Sequence, residues 1–381
     1  MISLVLALAV ASPQVPPAPP APPTPRPPAL VEFEPGPVRC GDSVISATVA
    51  PRPLPGVAYA NGDGGDSSFT IAFRIDASGR PLSIGDPVIM KTDTASGTRY
   101  VATGDLVPTL AAWRFAPGSA RSDCSIDFVA RMQTVADAPI AQLRRYMALP
   151  RDSNLAFDAA RRRIAEAEGE CFTDMPAVRM RAYPDFAAIP QPSGTMAYTA
   201  VGFDIDKTGR PVKVRTLSSD GNAALDRASV DAVRRSRFVP GARTGCSYPY
   251  YRRQNMPMPA PTAPDRLTLT PAGANCDSHA DWVNYPKLTY PAAFRRRAIE
   301  GWALIGYDVA PWGGTGNVRV LRSEPAAFFG ATARGIVERA KRAPSATGAT
   351  GCVELVSFKM SEDNADAAAD AGTPPSPPPV R

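Results

Sequence analysis

Tyr198 to Cys246 reads YTAVGFDIDKTGRPVKVRTLSSDGNAALDRASVDAVRRSRFVPGARTGC, and this stretch decides the fold. Val201, Phe203 and Ile205 alternate with Gly202, Asp204 and Asp206, the period-2 pattern of a half-buried strand. Lys207-Thr208-Gly209 makes a turn, because glycine supplies positive φ at no steric cost. Val212 and Val214 alternate with Lys213 and Arg215 in a second strand, so an antiparallel hairpin with one wet face is expected. A helix follows. Asp220 and Asn222 are its cap candidates, Leu225, Ala228, Ala232 and Val233 its buried stripe. Arg234, Arg235 and Arg237 suit its negative end, and Pro240-Gly241 stops it. A third strand is expected from Cys246.

The pattern occurs three times along the chain. Phe73-Arg74-Ile75-Asp76 with Gly79 and Tyr307-Asp308-Val309 with Gly313 repeat Phe203-Asp204-Ile205-Asp206 with Gly209. Each copy reaches a helix-ending proline, Pro117, Pro240 or Pro344. The interval from turn glycine to proline is longer in the first copy, so an insertion is expected around Lys91 to Thr98. The third copy has Arg342 where the others have Phe115 and Phe238, which predicts a less deeply docked helix end.

The central stretch resembles the C-terminal domain of the TonB family, periplasmic modules that couple inner-membrane energy to outer-membrane receptors. The resemblance rests on Phe203-Asp204-Ile205-Asp206, Gly209, Val212 to Leu217, Ser219 to Gly221, Leu225-Asp226 and Arg237-Phe238-Val239-Pro240. Tyr290-Pro291, Ala292-Ala293 and Glu300-Gly301 carry it at the entry to the third copy. The second copy keeps Tyr183-Pro184 but places Pro190, Pro192 and Gly194 where the family has a helix; in the first, Pro51, Pro53 and Pro55 argue against that helix. The expected fold class is α+β: three tandem small TonB-like domains, each a three-stranded antiparallel sheet with one or two helices.

The 381 residues, 44% of them apolar, are long enough for several small cores. Ten of the 43 prolines fall between Pro13 and Pro28 and five between Pro374 and Pro379, so both ends are extended linker or tail rather than core. The net charge of +6 reads as scattered solvated arginines, with contact to anionic lipid or acidic partners as the alternative. Nothing resembles a nucleic-acid module. The expected plan is a probable signal peptide at 1–12, a Pro-rich linker at 13–28 and a first domain at 29–136. A helical connector at 137–170 leads to a second domain at 171–255. A Pro-rich link at 256–264, a third domain at 265–361 and an acidic, Pro-rich tail at 362–381 complete it. The apolar run Ile2 to Ala11 is too short to span a bilayer, an anchor needing about twice that length. It reads as a secretion signal ending in small residues, or as a short start assigned within a longer gene whose true start lies upstream. Membrane contact is expected at the N-terminus only. With proline-rich or helical links between them, the three domains are expected to behave as beads on connectors.

Each copy owns two cysteines at matching positions: Cys40 and Cys124, Cys171 and Cys246, Cys276 and Cys352. One disulfide per domain is the reading this favours, because a small core gains from a staple. Loop closure of this length is worth ~4–5 kcal/mol in the chain-entropy model. Disulfides imply an oxidising compartment, here the periplasm. The usual TonB domain does not depend on them.

Chemistry is sparse. His279 is the only histidine, no serine lies in G-x-S-x-G, and there is no C-x-x-C, so neither catalytic nor cofactor nor metal residues are assigned. Gly313 to Gly316 lacks the lysine and helix of a phosphate loop, and Asn61 to Asp66 lacks the spaced carboxylates of a calcium loop; both read as turns. Function is therefore expected on surfaces. The resemblance implies protein partners, N-terminal segments of outer-membrane receptors, held along the edge of the last strand. The corresponding strands are Cys124 to Arg131, Cys246 to Arg253 and Cys352 to Lys359. Candidate contact residues are Tyr248, Tyr250 and Tyr251 on the second and Val356 and Phe358 on the third. Pro249 fits an edge strand, and the same edges can instead be covered by neighbouring repeats. The expected role is TonB-like receptor or transport-machinery binding. The alternative is a periplasmic peptide-binding or scaffolding protein that reuses the fold without energy transduction.

Overall fold

The structure is a computed structural model that describes residues 28–60, 67–92, 99–151, 153–169, 171, 176–253, 256–277 and 281–360. The signal peptide, most of the first linker, the Asn61 to Asp66 turn, His279 and the acidic tail lie outside these residues. In chain order, unit 1 contains β1 (Ala29–Pro35), β2 (Val38–Cys40), β3 (Ser43–Ile45), β4 (Ala47–Val49), β5 (Gly56–Ala60) and β6 (Ser67–Ile75). It continues with β7 (Pro81–Leu82), β8 (Val88–Thr92), β9 (Arg99–Val101), α1 (Leu106–Ala112), β10 (Arg114–Phe115) and β11 (Arg121–Thr134). Helices α2 (Ile140–Ala148) and α3 (Phe157–Glu168) follow. Unit 2 is β12 (Val178–Met180), β13 (Met196–Ile205), β14 (Pro211–Ser219), α4 (Ala223–Arg235), β15 (Arg237–Phe238) and β16 (Arg243–Arg253). Unit 3 is β17 (Trp282–Asn284), α5 (Ala292–Arg296), β18 (Gly301–Val309), β19 (Thr315–Glu324), α6 (Ala327–Val337), β20 (Lys341–Arg342) and β21 (Ala349–Phe358).

The fold is α+β, and units 2 and 3 are superposable in plan: antiparallel sheets ordered β14-β13-β16 and β19-β18-β21, each with one long helix on one face. The quoted stretch forms the strands and helix its pattern predicts, except that α4 ends at Arg235, ahead of Pro240, and Arg237 lies in β15 rather than in the last helical turn. Asn222 caps α4 by accepting from the Leu225 amide at 3.0 Å. The turn glycines earn their place by close approach: a Cβ on Gly209 would lie 2.2 Å from the Phe238 carbonyl oxygen, and one on Gly313 2.1 Å from that of Arg342. The carbonyl of each glycine in turn accepts from the amide of that same residue. Gly79 and Phe115 repeat the arrangement in unit 1. Each unit also has a two-stranded ladder, β4–β10, β12–β15 and β17–β20, that ties its entry to the residues after its helix.

Unit 1 departs from the expected three strands. Its β6, α1 and β11 follow the shared order, but β11 also pairs with β1 and β2, giving a nine-stranded sheet. The expected insertion falls between β8 and β9, where 93–98 lie outside the described residues.

The sheets of units 2 and 3 do not keep a wet face along their central strands. β13 and β18 are buried on both sides, because segments distant in sequence cover the second face. In unit 2 the cover is α2: Tyr198 packs with Leu54, Ala148 and Leu149. In unit 3 it is the Pro-rich link, whose Ala260 and Ala263 pack on Trp302, Leu304 and Val353. The Trp302 indole donates to the Pro261 carbonyl at 2.7 Å. Met258 bridges to Ile299 as a short parallel ladder and is itself buried. Polyproline-like chain leaves its carbonyls free, so it can lie flat on a sheet and accept hydrogen bonds there.

The units consequently pack as one body rather than as beads. One core cluster runs from Phe73 and Leu110 in unit 1 to Ile305 and Phe329 in unit 3. At the three-way junction the Arg297 guanidinium, 1% exposed, donates to Asp105 of unit 1 at 2.5 and 2.8 Å. It also reaches the carbonyls of Gly194 in unit 2 and Arg52 in unit 1. Asp105 accepts further from the Leu54 amide and the Thr109 hydroxyl, so the buried pair is hydrogen-bonded on both sides. A second node has Arg145 of α2 reaching Glu32 of unit 1, Asp220 of unit 2 and the Pro53 carbonyl. At a third, Glu324 of unit 3 accepts from Arg74 and from the amide and hydroxyl of Ser83, while Ile84 and Ala326 form a parallel bridge.

Candidate protein-binding edge

The disulfides place the last strand of each unit in one frame. Cys40 is joined to Cys124, Cys171 to Cys246 and Cys276 to Cys352. The second cysteine of each pair stands opposite an equivalent residue of the central strand: Phe73, Phe203 or Tyr307. Positions can therefore be compared across units by counting from that cysteine. Just before it, a positive-φ residue (Asp123, Gly245 or Gly351) makes a bulge that bends the strand. In units 2 and 3 a carboxylate of the central strand holds this bulge: Asp204 accepts from the Gly245 amide and Asp308 from the Gly351 amide. Asp204 is held below the usual carboxylate range chiefly by Lys213, and Asp308 chiefly by Asn317.

Beyond the bulge the three outer edges differ. In unit 1 the edge is filled: β1 lies antiparallel along β11, with Phe33 opposite Ala130 and Pro35 opposite Phe128. The Gly36 amide donates to the Asp127 carbonyl at 2.7 Å, so the backbone groups of Asp127 face the added strand. The equivalents of Asp127, three residues past the cysteine, are Pro249 in β16 and Leu355 in β21. Pro249 has no N–H to give, and it stays in register with Ala200 because its nitrogen faces away from β13. The edge of unit 2 is thereby blunted. In unit 3 that position is Leu355, 37% exposed, and no described strand pairs with the outer edge from Leu355 to Phe358. The first half of β21 is flanked by the segment at 266–275, which ties Asn275 to Thr350.

The named contact residues are placed differently from expectation. Tyr248 packs at a tilt against Phe203 and Phe238 in the core of unit 2, beneath Arg181, and burial pushes its phenol up to about 12. Tyr250 is buried in the same core, and Tyr251 is half-buried against the α2 side of the sheet. Val356 and Phe358 are buried, Phe358 among Tyr290 and Phe329. None of the five is a surface side chain, because alternation turns them toward a covered face. The edge is offered by backbone, at Leu355 and Ser357. Pro249 carried a readable signal for this, since a proline inside a paired strand must turn its nitrogen outward. The run Ala29 to Pro35 carried another: alternating apolar and acidic residues just upstream of Cys40.

Among the described residues no three His, Cys, Asp or Glu side chains are grouped to hold a metal ion. What the edge can do is accept an extended segment.

Residues 181–254 and 286–359 match the family model of the Gram-negative bacterial TonB protein C-terminal. The two TonB C-terminal matches cover units 2 and 3 and stop short of unit 1. This is a non-enzymatic, protein-interaction family that suggests a TonB-like part in transport energy coupling. A comparison with curated proteins found no match. The three disulfides fit an oxidising compartment. No described helix is long and apolar enough to cross a membrane.

Proposed function

We propose that this is a non-enzymatic periplasmic protein of three TonB-like units, unit 1 at 29–136 being a third and divergent copy, which binds an extended segment of a protein partner on the outer edge of β21. Receptors of the outer membrane, through their N-terminal segments, are the partner class the family suggests. The observation that carries this reading is the β1–β11 pairing: in unit 1 the counterpart of β21 accepts an extended segment of this chain along that edge. Backbone hydrogen bonds supply the affinity of such strand addition and side chains tune it. Among the described residues, unit 3 is the one whose edge pairs with no strand and carries no proline. The rigid three-unit junction through Arg297 favours a second use, a scaffold holding that edge in a fixed place without transducing energy.

Titration of the full chain with peptides from receptor N-terminal segments tests the site. Leu355→Pro deletes the outward N–H and leaves the ladder to β18 intact, so it should abolish binding, while Leu355→Ala should weaken it only a few-fold. Equal binding by wild type and Leu355→Pro, with the fold verified by melting, would refute addition at this edge. Failure of every receptor peptide while unrelated extended peptides bind at β21 would favour the scaffold reading.

A further inference from the structure

Unit 2 carries hydroxyls where unit 3 carries hydrocarbon, at one interface. Thr199 on β13, Ser229 on α4 and Tyr250 on β16 are 0%, 0% and 4% exposed. Counting from the turn glycine or the second cysteine, their equivalents in unit 3 are Ala303, Ala333 and Val356. The registers agree, Thr199 standing opposite Tyr250 and Ala303 opposite Val356. Thr199 shares a face with Val201 and Phe203, and Ser229 lies one turn from both Leu225 and Val233 in the buried stripe, so both sit where α4 meets the sheet.

Among the described residues, the hydroxyls of Thr199 and Ser229 find no hydrogen-bond partner. The Tyr250 hydroxyl is buried beside Arg181. The polar row also divides the packing. Leu225, Ala197 and Ile189 form one cluster, and Val201, Phe203, Val233 and Phe238 another. In unit 3 the three equivalents all belong to one continuous core.

We infer that the interface between α4 and its sheet is a seam that opens locally, while the matching interface of α6 stays closed. Burying a hydroxyl without a partner costs its full desolvation, and that cost is recovered when the interface opens to water. Interfaces with fewer apolar contacts open at lower free energy than the rest of a fold.

Amide hydrogen exchange on the full chain tests this. The α4 amides should exchange at least tenfold faster than those of α6. Ser229→Ala combined with Thr199→Val should slow α4 about tenfold or more and leave α6 unchanged. Ala333→Ser, which transplants one hydroxyl into unit 3, should hasten α6 exchange by about tenfold. Protection of α4 equal to that of α6, or fast α4 exchange unmoved by the paired variant, would overturn the inference. A paired variant that fails to fold leaves the decision to Ala333→Ser, where unaltered α6 exchange would overturn it.

Discussion

In unit 2 the ring that docks the chain just past the helix is Phe238 of β15, stacked on Phe203 at 5.5 Å and near Tyr248 at 6.0 Å. In unit 3 the same three positions hold Arg342, Tyr307 and Glu354. Arg342 donates to the Tyr307 hydroxyl at 2.8 Å, lies 3.7 Å from Glu354 and stacks 3.9 Å over Trp282. It is 7% exposed, so the helix end of unit 3 is docked as deeply as the others, against the sequence-based expectation. A guanidinium can replace a ring at a buried position when a carboxylate, a hydroxyl and an aromatic face move in with it. The two units thus share a backbone but hold their helix ends with different chemistry.

The sharpest way to break this comparison is to exchange single members of the trios. Phe238→Arg places a cation between two rings with no carboxylate, and should cost about 5 kcal/mol, enough to unfold unit 2 in urea titrations. Arg342→Phe leaves the half-buried Glu354 without its principal cation and should cost about 3 kcal/mol. Adding Glu354→Tyr, the unit 2 residue, should recover most of that loss; no recovery would mean that the trios are not interchangeable sets. Next in size, replacing either cysteine pair, Cys171 with Cys246 or Cys276 with Cys352, by alanine should cost about 3 kcal/mol in each unit. A loss confined to one unit would show that the staples are not equivalent.

A smaller effect concerns the link. Because Met258 is buried and Trp302 is bonded to Pro261, limited proteolysis of the native chain should spare 256–264. Early cleavage there would return the units to independent beads. The smallest effect is on pH dependence. Burial raises the Glu354 carboxyl above its usual range despite Arg342, and raises Asp220 despite Arg145. A raised acid binds its proton more readily when folded, so stability should grow as pH falls from neutral through these raised values. Asp204 and Asp308 are depressed, so their stabilisation is present above the ordinary carboxylate pKa and is lost as pH falls through the depressed values. Melting temperature should therefore rise slightly and then fall on acidification. Glu354→Gln should flatten the rising limb, and an unchanged limb would assign it elsewhere.

Much of each unit was legible from residues near one another in sequence. The alternation at Val201, Phe203 and Ile205, the glycine turn and the Asn222 cap are local physics, and they determined strand, strand, helix and strand. The cysteine pairs were legible because matching positions recur along the chain. What the tertiary structure decided is what covers each second face and each edge. Ala197, Tyr198 and Ala200 already made β13 apolar on both sides, but nothing local says that α2 would cover it. The Pro-rich link reads as spacer until Trp302 and Met258 are seen to hold it. Tyr248 and Tyr250 read as contact residues only while the direction of their alternation is unknown. Edge pairing is settled by segments far away in sequence, β1 for β11, and by one missing N–H at Pro249. Hydrogen-bonding groups of a strand are the same in every sequence, so their availability is a property of the assembled chain.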